Sequence, residues 1–145
     1  MSNSSRWSEY RYRRRVQFHE VDLAGIVHFS WFFHYMGEAE QALWRAAGLS
    51  LAPPGAAVGF PRVAAACEYH HPLRFDEEFE ICIRIAEMRE KMIRYSCLMT
   101  RGDEPIATGT MTTVCVRKRP DQSLGAVPIP PEIAMRFEVA TGVDA

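Results

Sequence analysis

Along the first part of the chain, polar and apolar positions alternate. Tyr10, Tyr12, Arg14, Val16 and Phe18 share one parity against Arg11, Arg13, Arg15 and Gln17, which predicts a strand over 10–18 whose second face is basic and solvated. Residues 20–30 break the alternation, and Gly25 there is free to take a positive φ angle. From Trp31 the period becomes helical. Phe32, Met36, Ala39, Leu43 and Ala46 fall three or four positions apart, with His34, Glu38, Gln41 and Arg45 on another stripe, predicting an amphipathic helix over 30–47. Ser30 stands where an N-cap would accept a bond from an orphan amide, and Gly48 where a left-handed residue ends a helix. Glu38 and Glu40 are expected to be solvated residues of the helix face.

Residues 49–61 hold Pro53, Pro54 and Pro61 with Gly55 and Gly59 and predict an irregular apolar loop. Strand signals follow. Val63, Ala65, Cys67 and Tyr69 alternate until His70-His71-Pro72 ends the run. Phe79, Ile81, Ile83 and Ile85 alternate with Glu78, Glu80, Cys82 and Arg84, and Ile93, Tyr95, Cys97 and Met99 repeat the pattern. A turn over 101–105 leads to a last long strand over 106–117, rich in threonine and valine. Prolines at 120, 128, 130 and 131 predict an irregular tail with one short helix over 131–137. Successive strands with short connections make an antiparallel sheet, and the one long helix must bury its apolar stripe against it, so the fold class is α+β. With 145 residues and 48% hydrophobic residues, one domain spanning 1–145 and one core are expected.

Charge and cysteines narrow the function. A net charge of −1 excludes nucleic acid or an anionic membrane as the main partner, since either requires a basic excess. Residues 1–9 are polar with no signal-like segment, and no run reaches the length of a membrane span, so a cytoplasmic protein is expected. Cys67, Cys82, Cys97 and Cys115 lie fifteen or more residues apart and have no histidine at ligand spacing. They read as small buried hydrophobes rather than a zinc site or a disulfide framework. His34, His70 and His71 show no metal spacing and receive no role.

The chemistry is expected around Asp22, where a carboxylate, a glycine turn and a helix start fall within a dozen residues. An aspartate before a glycine commonly just caps its own turn, and that alternative stands beside a catalytic one.

Three stretches resemble the hotdog-fold acyl-CoA thioesterases of the 4-hydroxybenzoyl-CoA thioesterase type. They are Asp22-Leu-Ala-Gly25-Ile-Val-His-Phe opening an aromatic-rich helix, Tyr69-His-His-Pro72-Leu-Arg-Phe-Asp76-Glu-Glu-Phe-Glu-Ile, and Ala107-Thr-Gly109-Thr. The resemblance covers about residues 10–120. It implies a hotdog, a curved antiparallel sheet wrapped around the long helix, and a homo-oligomer, either a dimer or a tetramer of paired dimers with active sites between subunits. It also implies an acyl-CoA substrate and hydrolysis without metal or cofactor. Asp22 would be the nucleophile or the general base, and the backbone amide of Phe29 would hold the thioester oxygen, with Gly25 allowing the turn between them. A helix N-terminus, with unpaired N–H groups and about half a positive charge, suits an oxyanion. Val21, Ile26 and Phe29 are the neighbours that would give Asp22 the apolar surroundings a base benefits from.

The same resemblance makes His28 a further candidate and places Trp31, Phe33 and Met36 around the acyl group. Coenzyme A phosphates need cations, and Arg89, Lys91, Arg117, Lys118 and Arg119 lie at strand ends where a nucleotide would rest. Glu20 takes the place of the second acidic residue of the family. Trp31 and Phe32 stand where relatives often carry asparagine and tyrosine, so a more apolar acyl pocket is expected. Two other readings remain: a non-catalytic binder of acyl-CoA or an aromatic ligand, and a hydroxyacyl thioester dehydratase, whose His-Phe-Pro-Gly signature is missing.

Overall fold

The computed structural model describes residues 6–142. Five strands form one antiparallel sheet: β1 (Glu9–Arg15), β2 (Arg62–Tyr69), β3 (Glu78–Met88), β4 (Met92–Arg101) and β5 (Glu104–Val114), in the order β1-β3-β4-β5-β2. The helix α1 (Trp31–Ala46) lies across one face, and this is the hotdog arrangement that the resemblance implied. Breaks of register after Ile85, after Met99 and between Arg62 and Ala64 mark bulges, which increase local twist and bend the strands.

Alternation explains which face closes on the helix. Ile81, Ile83 and Ile85 of β3 and Ile93, Tyr95, Cys97 and Met99 of β4 are buried, and they join Phe32, Met36, Ala39 and Leu43 of α1 in one core. Gly109 of β5 permits the close approach, because a Cβ there would lie 2.5 Å from the Met36 sulfur. Trp44 fills the far end of the helix against Phe60 and Phe137, and its indole N–H donates to the Tyr95 hydroxyl at 3.0 Å. Residues 49–61 form no named helix or strand, as their prolines require, yet Leu49, Leu51, Val58 and Phe60 pack against the core. Cys82, Cys97 and Cys115 are buried, Cys67 is half-buried, and all four are free thiols.

Several expectations are corrected. The first strand stops at Arg15, and Phe18–Glu20 forms a single 3-10 turn that leaves Phe18 exposed. The reason is local: the Glu20 N–H returns to the Gln17 carbonyl at 3.0 Å, and the Glu20 carboxylate accepts the Gln17 N–H at 2.9 Å. Ser30 does not cap α1 with its side chain; its backbone is already helical and its hydroxyl lies 2.8 Å from His28 Nδ1. Gly48, with φ of +82°, ends the helix as expected. Arg136 donates to the last-turn carbonyl of Ala47 at 2.7 Å. The last strand breaks at Cys115 and continues as β6 (Val116–Lys118), paired with β7 (Leu124–Ala126), so the tail contains a hairpin before the short helix α2 (Pro131–Ala134). Leu-Gly-Ala is too short to show a period, which is why β7 is not visible in the sequence.

Glu38 and Glu40 are not solvated. Glu38 is half-buried, and Glu40 is 2% exposed, with one carboxylate oxygen taking an N–H from Arg62 at 2.8 Å and the other without a hydrogen-bond partner among the described residues. Gly37 lets Arg62 cross the helix, since a Cβ there would lie 2.9 Å from its guanidinium. Burial pushes the Glu40 carboxyl above its ordinary value, against the pull of Arg62. Folding therefore favours its protonated form. Its contribution is most favourable below the unfolded pKa of about 4.3 and is lost as pH rises through the folded value. Glu40→Gln has no charge to bury, so its stability is expected to gain on that of the parent as pH is raised from about 4.5 to 8. Urea unfolding of both proteins across that range checks this, and a difference independent of pH refutes it.

Candidate active site

Residues 20–28 form a small hairpin that precedes α1. Val21 pairs with Val27, the Asp22 N–H donates to the Ile26 carbonyl at 2.8 Å, and the Gly25 N–H returns to the Asp22 carbonyl at 3.0 Å. Gly25 sits at φ of +80°, so the tip is a turn closed by a left-handed residue, a conformation that favours glycine. One carboxylate oxygen of Asp22 accepts the Ala24 N–H at 2.8 Å, which is the turn-capping use of aspartate. The other oxygen bonds nothing among the described residues. Asp22 is also exposed, so Val21, Ile26 and Phe29 do not enclose it within one chain as expected.

The second arm of the hairpin runs directly into the helix. The Val27 N–H donates to the Leu73 carbonyl at 2.8 Å and the His28 N–H to the Glu20 carbonyl at 2.9 Å. The amides of Trp31, Phe32 and Phe33 then turn back onto the carbonyls of His28, Phe29 and Ser30. The Phe29 N–H between them donates to no acceptor among the described residues. It is an open donor at the positive end of α1. The Tyr69 hydroxyl donates to the Phe29 carbonyl at 3.1 Å and so holds the next peptide, Phe29–Ser30, from the end of β2.

Three candidates around it have different surroundings. His28 is exposed, with its ring 4.5 Å from that of Phe29. Trp31 is half-buried between His19 and His34, at ring distances of 5.2 and 4.7 Å, and Phe33 is half-buried against the core. Met36 is wholly buried with its sulfur against Gly109, so in this chain it fills the core and does not line an open pocket.

The proposed phosphate cations lie elsewhere. Bonds from the Cys115 N–H to the Lys91 carbonyl and from the Ile129 N–H to the Glu90 carbonyl, both 2.8 Å, draw the β3–β4 turn toward the β6–β7 hairpin. Arg89 and Lys91 thereby share one end of the sheet with Arg117, Lys118 and Arg119, although Arg89 is engaged by Glu87. That is the end of β5 at Val114, whereas Phe29 and Tyr69 sit beside Ala107. Seven rises of about 3.3 Å separate the two, about 23 Å. Within one chain the basic cluster and Asp22 are at opposite ends.

The sequence reading missed Tyr69 and the role of Glu20. Glu20 is wholly buried, and its carboxylate accepts N–H bonds from Arg14 at 2.8 and 2.5 Å and from the Gln17 amide at 2.9 Å, and an O–H bond from Tyr35 at 2.8 Å. Burial alone would raise this carboxyl, but the bonds from Arg14, Gln17 and Tyr35 outweigh it and hold it below its ordinary value. Arg14 also donates to Glu38 at 2.6 Å and stands 4.7 Å over the Tyr35 ring. The only signal in the sequence was a basic residue and two acids at unrelated spacings.

No group of three His, Cys, Asp or Glu among the described residues is arranged to hold a metal ion. A concavity of about 590 Å³ lies on the sheet face away from α1, lined by Arg11, Arg84, Leu98 and Thr108, and it includes neither Asp22 nor Phe29.

A family model described as the thioesterase-like superfamily matches residues 16–137, which takes in the hairpin, α1 and the whole sheet after β1. The chain belongs to this superfamily. As a member it is a thioester hydrolase. A protein of Aquifex aeolicus is 35% identical over 99 residues, covering 66% of this chain and 76% of its own length. A solved structure from that organism superposes with a TM-score of 0.83 at 29% identity, over 89% of this chain and 99% of the other. A 1,4-dihydroxy-2-naphthoyl-CoA hydrolase of Synechococcus elongatus is 24% identical over 118 residues, 79% of this chain and 87% of the relative. The structure of a gentisyl-coenzyme A thioesterase matches with a TM-score of 0.75 and 27% identity, over 86% of this chain and 99% of that one.

Proposed function

We propose that this thioesterase hydrolyses an aroyl- or acyl-CoA to the carboxylic acid and free coenzyme A, at Asp22 and the Phe29 N–H, in a site completed by a second copy of the chain. The observation that carries the reading is the pair of uncommitted groups on one hairpin, an Asp22 oxygen and the Phe29 N–H. The thioester oxygen takes the Phe29 N–H, and negative charge that develops there as the carbonyl is attacked is stabilised by the helix end. Asp22 acts in one of two ways. As nucleophile it forms a mixed anhydride while the carbon–sulfur bond breaks and the coenzyme A thiolate leaves, and water then hydrolyses the anhydride. As general base it takes a proton from the attacking water.

The second copy follows from the sheet edge. β2 is an edge strand exposed along nearly its whole length, with Val63 62% exposed, and such an edge invites another strand. Antiparallel pairing of two β2 edges brings the Arg62 end of one sheet beside the Tyr69 end of the other. The partner's basic cluster then approaches the Asp22 hairpin that its own chain cannot reach. The leaving group of one site would rest on the cations of the other protomer.

Relatives that act on dihydroxynaphthoyl- and gentisyl-CoA make hydroxylated aroyl-CoAs the first substrates to try. Free-thiol release from gentisyl-, 1,4-dihydroxy-2-naphthoyl-, benzoyl-, hexanoyl- and palmitoyl-CoA is the test. At least one aroyl-CoA is expected to turn over with kcat/KM of about 10⁴ M⁻¹s⁻¹ or more. Release from none of them sinks the proposal, and binding without release favours a non-catalytic ligand binder.

A further inference from the structure

Glu20 is a wholly buried carboxylate that hydrolysis at Asp22 does not itself require. Burying an ionised acid is expensive, and a core that needed only stability is served as well by an apolar side chain. Here the charge is kept and answered in full: a two-pronged contact from Arg14, the Gln17 N–H and the Tyr35 hydroxyl. Each partner belongs to a different part of the frame. Arg14 is on β1, Gln17 begins the 3-10 turn, and Tyr35 is one turn into α1, where Glu38 on the next turn holds the other side of Arg14 at 2.6 Å. Tyr12 of β1 adds a weak bond to Glu38 at 3.3 Å. His19, the remaining titratable neighbour, approaches from solvent at 3.6 Å.

The main chain of Glu20 does something different from its side chain. Its carbonyl accepts the His28 N–H at 2.9 Å and joins the two arms of the hairpin. Asp22 lies two residues along one arm, and Phe29 follows His28 on the other. The distance between the Asp22 carboxylate and the Phe29 N–H therefore depends on Glu20, which closes the hairpin at the Phe29 end while the Asp22 N–H bond to the Ile26 carbonyl closes it at the tip. A displacement of about 1 Å between such groups can cost about a hundredfold in rate.

We infer that Glu20 is the positioning residue of the thioesterase centre: clamped by Arg14 of β1 and Tyr35 of α1, it fixes the hairpin so that Asp22 and the Phe29 N–H face one thioester carbonyl. The inference rests on the proposed function for its kinetic consequence and on geometry alone for the rigidity of the hairpin. In Glu20→Gln the side-chain oxygen still accepts from Gln17, Tyr35 and Arg14 Nη1, but an NH₂ group opposes Arg14 Nη2, donor against donor. Tyr35→Phe removes only the phenol bond.

The experiment compares both variants with the parent at a temperature well below their unfolding midpoints. It reads kcat and KM on the best thioester of the panel and site-resolved amide exchange. Glu20→Gln is expected to lower kcat about a hundredfold with KM within threefold, and Tyr35→Phe about tenfold. Exchange at His28 and its neighbours in 20–29 speeds up at least tenfold, while amides of β3, β4 and β5 keep their protection. Unchanged kcat with a lowered midpoint in both variants, or faster exchange spread over the whole sheet, overturns the inference and leaves Glu20 a structural residue. If Glu20→Gln does not fold, Tyr35→Phe decides alone. If the parent releases no thiol at all, it is the proposed function that has failed, and the exchange pattern still decides whether Glu20 holds the hairpin.

Discussion

Asp22→Asn is expected to lower kcat for thioester hydrolysis by about three orders of magnitude while leaving the unfolding midpoint nearly unchanged. The two halves follow from the two carboxylate oxygens. One accepts the Ala24 N–H at 2.8 Å, and the asparagine carbonyl can accept the same bond, so the hairpin keeps its turn. The other is uncommitted, and replacing it by an NH₂ group removes both the nucleophile and the proton acceptor. What survives is the Phe29 N–H at the helix end, and one preorganised donor is typically worth about a hundred- to a thousandfold by itself. A measurable residual rate is expected, with KM close to the parent. Thiol release under single-turnover conditions, set beside thermal unfolding of both proteins, checks the pair. Activity within tenfold of the parent removes Asp22 from the chemistry and leaves it a turn residue.

The largest expected loss of stability lies at the other end of the same helix. Trp44 is 1% exposed and packs against Phe60 and Phe137 at ring distances of 5.0 and 5.2 Å, so it ties residues 49–61 and the C-terminal segment to α1. Trp44→Ala removes a large buried ring, leaves a cavity between three segments and deprives the buried Tyr95 hydroxyl of the indole N–H. A loss of about 3–5 kcal/mol is expected, lowering the midpoint by about 10 °C or more. Trp44→Phe keeps much of the volume and loses less, which separates packing from the hydrogen bond. Phe29 lies fifteen residues away along the chain, about 22 Å of helix. Below the new midpoint, kcat should therefore stay within a few-fold of the parent. Chemical unfolding and thiol release on the same samples test both statements, and a loss under about 1 kcal/mol contradicts the packing described.

Most elements are written locally in this chain, while the superfamily and its class of chemistry were expected only from the resemblance of three short motifs. The alternation around Ile81, Ile83 and Ile85, the helical spacing from Phe32 to Ala46, and Gly25 and Gly48 at positive φ all come from interactions within a few residues, which periodicity and turn chemistry report directly. Gly25 and the helix start could be singled out for the same reason, whereas the role expected of Asp22 came from the resemblance. Partners far apart in sequence are a different matter. Arg14 meets Glu38 across 24 positions and Glu40 meets Arg62 across 22, and nothing local in either helix turn distinguishes these acids from solvated ones. The separation of the basic strand ends from Asp22 depends on strand order and direction, and the open Phe29 N–H depends on what its neighbours have already bonded.

Sequence by itself determined the α+β class, the long helix, and the glycine turn beside the carboxylate, because short-range sterics and burial periods set them. Only the tertiary structure decided that Glu20 is buried and clamped, that Met36 fills the core, and that the basic cluster around Lys91 and Arg117 lies at the far end of the sheet from Asp22 in one chain. Those outcomes depend on which distant segments pack together, and a one-dimensional pattern does not record it.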